Sequence, residues 1–221
     1  MDVEALIRRF RVLAYDNAQP IYFWADVDVT DWLDDAHAQA CIRGRLLRDD
    51  ATASVCTIAL TPGKSTYKLH PKLYEIISIR LVPADGCTRQ VALKSREWLD
   101  ANHRDWRDCQ RPVVTAIQND TSIRVVGKVE AGDTLQMEVY RLPMLSLSDS
   151  DTPEIHEAHH EHLVQWALHR AFSIPDAETF DPARAASAEA AFTRYFGLLP
   201  DSDMRRTTRE DVVHHNVSIF P

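Results

Sequence analysis

The apolar periodicity of the chain changes twice, and this restricts the fold more than any single motif. Between Asp2 and Tyr15 the residues Val3, Leu6, Ile7, Phe10 and Leu13 recur at steps of three and four, which predicts an amphipathic helix with Arg8, Arg9 and Arg11 outside. Asn17 to Pro20 breaks it. A second helix is predicted from Thr30 as N-cap, with Asp31 in its first turn, through Trp32, Leu33, Ala36, Ala40 and Leu47. From Ala53 the period becomes two: Val55, Thr57 and Ala59 alternate with Cys56, Ile58 and Leu60. Thr61-Pro62-Gly63-Lys64 then predicts a hairpin into Ser65 to Leu69. Further strands are predicted at Ile76 to Val82, Gln90 to Lys94, Val113 to Gln118, Ser122 to Val126 and Thr134 to Leu142, with Ser95 capping a short inserted helix that carries Trp98, Leu99 and Trp106.

After the polar hinge Ser146 to Asp151 the helical period returns. Thr152 as cap and Pro153 in the first turn predict a helix over 153–172, and Asp181-Pro182 repeats the device before Ala185, Ala188, Phe192, Phe196 and the stop at Gly197. The predicted fold class is therefore α+β. Helices from both ends of the chain (residues 1–52 and 146–199) form one bundle, because each has a single apolar face to bury. An antiparallel sandwich or barrel-like β domain (53–145) is inserted between them, and 200–221 is an extended arm. The arm ends in Val217, Ile219 and Phe220, an apolar tip suited to docking on a partner.

The chemistry of the chain is sparse. His156, Glu157 and His160 stand in the order H-E-x-x-H, which on a helix would aim two imidazoles at one zinc ion and a carboxylate at its water. A zinc hydrolase is thus the alternative reading. The extended form of the motif is absent, and a third ligand would have to come from Glu178, Glu189 or His169. His160, Leu163 and Ala167 also continue one helical stripe, so packing accounts for the same residues. There is no phosphate-binding glycine loop and no nucleophile elbow, and no cofactor is expected. The four cysteines, Cys41, Cys56, Cys87 and Cys109, include no C-x-x-C pair, and buried reduced thiols are the expectation. A formal charge of -8 argues against gripping DNA phosphates, and no apolar run is long enough to span a membrane. Synthesis inside a cell is expected.

The order Trp32-Leu33-Asp34-Asp35-Ala36, Arg45-Leu46-Leu47-Arg48-Asp49, Tyr67-Lys68-Leu69-His70-Pro71 and Ile76-Ile77-Ser78-Ile79-Arg80-Leu81 resembles the head-to-tail adaptor (connector) proteins of tailed bacteriophages. So do Val139-Tyr140-Arg141-Leu142-Pro143, the stretch from Ile155 to Leu168, and Ala188-Glu189-Ala190-Ala191-Phe192. The resemblance spans about Thr30 to Phe196. It implies a virion protein of the head-tail neck, assembled in the host cytoplasm and without catalysis. It also implies a twelvefold ring bound to portal protein on one side and a tail or nozzle protein on the other, with DNA passing through the lumen. The arm would bind either the portal or a neighbouring subunit.

Overall fold

The computed structural model describes residues 1–18, 21–148, 150–175 and 178–200, a mixed α+β protein. It divides into two compact units, a helical one from Met1–Leu47 with Arg141–Leu199, and a β unit over Arg48–Tyr140. The apolar tip of the arm, Val217, Ile219 and Phe220, lies outside the described residues.

The helical unit begins with α1, Val3–Ala14, where the Asp2 carboxylate accepts from Ala5 N at 2.8 Å and Tyr15 ends the helix in the left-handed region. Val3, Leu6, Ile7 and Phe10 of its apolar stripe are buried as the spacing predicts, with Leu13 half-buried against the same core. Arg11 is the exception, for it turns inward instead of outward. Its guanidinium donates to Asp16 at 2.7 Å, to Trp24 O at 3.1 Å and to Asp26, and lies 3.6 Å over the Tyr22 ring. Two carboxylates and a ring replace the water that the cation loses.

Helix α2 runs Asp26–Gly44, one turn earlier than Thr30. Asp26 and Asp28 occupy its first turn, favoured there by the helix dipole, and the Thr30 hydroxyl donates to Asp26 O at 2.9 Å from inside the helix. Thr30 therefore bonds backward along α2 and does not cap it. Two later helices complete the unit. Helix α5 spans His160–Phe172, and α6 spans Pro182–Phe196, capped by Asp181 Oδ1 with Ala183 N and Arg184 N at 3.1 and 3.0 Å. Their common core holds Phe10, Leu33, Leu163, Phe172 and Phe192. Contacts between residues far apart in the chain fix it: Trp166 Nε1 donates to Asp35 Oδ2 at 2.7 Å, Leu147 N to Asp34 Oδ1 at 3.0 Å, and Arg43 Nη1 to Thr193 Oγ1 at 2.9 Å.

The β unit is one eight-stranded sheet formed by β1 (Arg48–Asp49), β2 (Thr57–Ala59), β3 (Thr66–Lys68), β4 (Leu73–Val82), β5 (Arg89–Leu93), β6 (Thr115–Gln118), β7 (Ser122–Val126) and β8 (Thr134–Arg141). The order is β1-β8-β4-β5-β6-β7-β3, with β2 also on β8. Three expectations change here. Residues Ala53–Cys56 form a short helix, α3, not the start of a strand, because the Asp49 carboxylate gathers Ala51 N and Thr52 N and the Cys56 thiol around one oxygen. The predicted hairpin is absent, since β2 pairs with β8 and β3 with β7. The Thr61–Lys64 turn forms, held by the Tyr67 hydroxyl, but a turn sets only the local reversal, not the partner. Finally β5 and β6 are parallel, with Ala92 opposite Thr115. The connection from Lys94 to Val114 makes this possible, because a parallel pair needs a crossover of a dozen or more residues. It holds α4, Arg96–Asn102, capped by the Ser95 hydroxyl at 3.1 Å from Trp98 N, and a 3-10 turn at Trp106–Asp108. Leu99 and Trp106 of this segment pack on Ile117 and Val126 of the sheet.

Candidate functional site

The H-E-x-x-H residues do not share a helix. Helix α5 starts at His160, and Glu157–His159 form a 3-10 turn, so the predicted start at Thr152 and Pro153 is corrected by seven residues. The polar groups that would build the missing turns have other partners. Glu154 accepts from Met144 N at 3.1 Å and pairs with Arg141, and the Ile155 carbonyl accepts from His160 Nε2 at 2.9 Å. Hydrogen bonding to Arg141 holds the Glu154 carboxyl below its ordinary range. His156 Nδ1 accepts from Ala158 N at 3.1 Å and thereby caps the 3-10 turn.

His160 is fully buried and uses both ring nitrogens. With Nε2 donating to Ile155 O, Nδ1 accepts from Met1 N at 3.0 Å. His156 and Glu157 are exposed, His160 faces the core, and the three do not converge. Of the conceivable third ligands, His169 Nδ1 donates to Ala185 O at 3.1 Å, while Glu178 and Glu189 are exposed. Among the described residues no group of three or more His, Cys, Asp or Glu is placed to hold a metal ion. Nor is any described helix long and apolar enough to cross a membrane.

Two of the cysteines follow the expectation of buried thiols. Burial pushes Cys41 up to about 12, with the Glu154 charge adding to it, and Cys56 up to about 11, with Asp49 adding to it. Cys87 departs from it, being exposed in the turn after β4, and Cys109 is half-buried.

Three surfaces stand out instead. The first is a ring cluster where α5 begins and α6 ends. His162 stacks on Tyr195 with centroids 3.4 Å apart, and His159 Nδ1 donates to the Tyr195 oxygen at 3.1 Å. Burial, and the charges of His156, His160 and His162, push His159 below its usual value.

The second surface is the opposite end of the helical unit, where Tyr15, Ile21, Phe23, Val27 and Phe180 are exposed. In sequence this stretch reads only as a break between helices. The signal was the run Ile21-Tyr22-Phe23-Trp24, four apolar residues of which only Trp24 is buried. The third surface is a groove of about 340 Å³ in the β unit, floored by Leu99, Trp106 and Val126.

Charge is divided unevenly between the units. Residues 1–47 and 141–199 hold seventeen acidic and nine basic residues, whereas 48–140 hold twelve acidic and thirteen basic. The whole acidic excess belongs to the helical unit.

No curated protein matches the chain. A family does, over residues 1–214, nearly the whole sequence. By this match the chain belongs to the SU10 adaptor protein family, a family of phage head-to-tail adaptors.

Proposed function

We propose that the protein is a structural part of the virion neck, a non-catalytic adaptor that forms a ring between the portal and the tail or nozzle and leaves a channel for DNA. Family membership over residues 1–214 is the observation that carries this reading. Twelve copies match the symmetry expected of a portal, and assembly takes place in the host cytoplasm before the ring enters the particle. In this reading the helical unit acts as a bundle into which a sandwich or barrel-like β domain is inserted, with working boundaries at residues 1–52, 53–145, 146–199 and 200–221. The arm docks through Val217, Ile219 and Phe220 on the portal or a neighbouring subunit.

A ring needs two different complementary surfaces on every subunit, because a heterologous contact repeated around an axis closes on itself. Two units of different charge can supply them. DNA passing such a ring needs a wall that does not hold phosphate, and an acidic excess serves this by repulsion. The test is electron microscopy of the full-length protein incubated with the portal of the same particle. Twelvefold rings seated on the portal are expected. A protein that stays monomeric beside an intact portal would remove the adaptor reading.

A further inference from the structure

The exposed apolar end of the helical unit is built by four helix termini. Arg184 Nη2 donates to Leu13 O at 2.9 Å, Trp24 and Phe172 meet edge-on at 5.6 Å, and Asp181 N donates to Phe172 O at 3.1 Å. The end of α1, the start of α2, the end of α5 and the start of α6 therefore meet at one place. There Tyr15 is 81% exposed, Ile21 84%, Phe23 66% and Val27 63%. Exposed apolar residues scattered singly need no explanation, but four large ones within thirteen positions mark a contact surface. Acids stand beside them, with Asp26, Asp28 and Asp31 all exposed at the start of α2. Two copies joined symmetrically through this end would bring these carboxylates together. Like charges opposed in that way disfavour the contact.

The β unit of the same chain offers a groove with an apolar floor and a modest basic excess in the segment around it. Its groove has Val114 exposed at the lip above Leu99, Trp106 and Val126. His103, Arg104 and Arg111 line it along with the acids Asp105 and Asp108. Arg107 and Arg124 lie over Trp106 at 4.4 and 5.0 Å, and Asp100 is taken up by Arg107 and by Trp106 Nε1. Around it, residues 89–128 carry eight basic and five acidic side chains. An apolar floor with guanidinium groups about it suits an inserted aromatic or aliphatic side chain flanked by carboxylates.

We propose that Ile21 and Phe23 of one copy seat in the Trp106–Val114 groove of the adjacent copy, with Asp28 facing Arg111 across the contact. This rests on the ring reading and names the surfaces that would join neighbouring subunits. The test is assembly of full-length variants on the portal of the same particle, with the bound copies counted. Phe23→Ser, Val114→Asp, Asp28→Arg and Arg111→Asp are each expected to weaken ring formation by about tenfold or more. The double variant Asp28→Arg with Arg111→Asp is expected to recover most of the loss. Rings that form undiminished in the single variants, or a double variant no better than either single one, overturn this contact and leave the adaptor reading standing. If the unaltered protein forms no ring, both readings fall.

Discussion

The two units reach stability by different routes. The β unit is a contiguous piece of chain, nearly neutral, whose inward residues alternate along its strands, as Leu135, Met137 and Val139 do along β8. The helical unit joins two pieces of chain separated by the whole β unit and carries the acidic excess. Its fixing contacts, Trp166 to Asp35 and Arg184 to Leu13 among them, link residues more than a hundred positions apart.

Within the N-terminal piece, Arg11 is held by partners no more than fifteen residues away, Asp16, Trp24 and Asp26. Arg11→Met leaves Asp16, almost fully buried, without its cation and is expected to cost about 3–5 kcal/mol in chemical denaturation. Leu163→Ala empties a fully buried position of the same unit at about 2–5 kcal/mol, and Ile123→Ala is its counterpart in the sheet. Amide hydrogen exchange on these two variants sharpens the comparison. Leu163→Ala is expected to release protection in α1, α2, α5 and α6, and Ile123→Ala in the strands, whereas uniform loss from either would make the units one cooperative body.

Gly127→Ala probes the β unit alone. Gly127 has φ 131°, and an added Cβ would lie 2.6 Å from the Arg111 carbonyl oxygen, so about 1–3 kcal/mol of destabilisation is expected in thermal melts. A smaller effect follows from pH. His159 is held below its usual 6.5, so the unfolded chain takes up its proton first. The contribution of the neutral ring is complete above that value and is lost as pH falls through the lower folded one. A His159→Gln variant should show a flatter stability profile in this window. Smallest of all, His156→Ala removes an exposed cap and is expected to change stability by less than about 0.5 kcal/mol and leave assembly intact. Loss of function in a folded, ring-forming His156→Ala protein would contradict the assignment of that segment to scaffold.

Much of this was readable where a residue's local chemistry decides its structure. Ser95 caps its helix, Asp181-Pro182 opens α6, and the strands predicted over 76–82 and 90–94 pair antiparallel as β4 and β5. What could not be read depends on which polar groups the folded chain brings together, even when they stand only a few residues apart. Arg11 looks like a surface cation until Asp16 and Asp26 converge on it, and the Asp49 carboxylate that curls Ala53–Cys56 lies outside the alternating pattern it interrupts. Periodicity fails likewise at Thr152 and Pro153, where stripe and cap agree on a helix and the bonds of Glu154 and Ile155 prevent one. The apolar end of the helical unit was half legible, in the run after Pro20, while the groove formed by the crossover segment had no linear signal.

The split origin of the helical unit also governs how the protein is made. During synthesis α1 and α2 leave the ribosome with their apolar faces bare, and α5 follows only after more than a hundred further residues, including the entire sheet. At ordinary elongation rates of about 5–20 residues per second this leaves them without their partners for about 6–24 s. The sheet can complete itself in that interval. The nascent helices then wait for α5 and α6, and slow codons placed after Tyr140 would lengthen that interval.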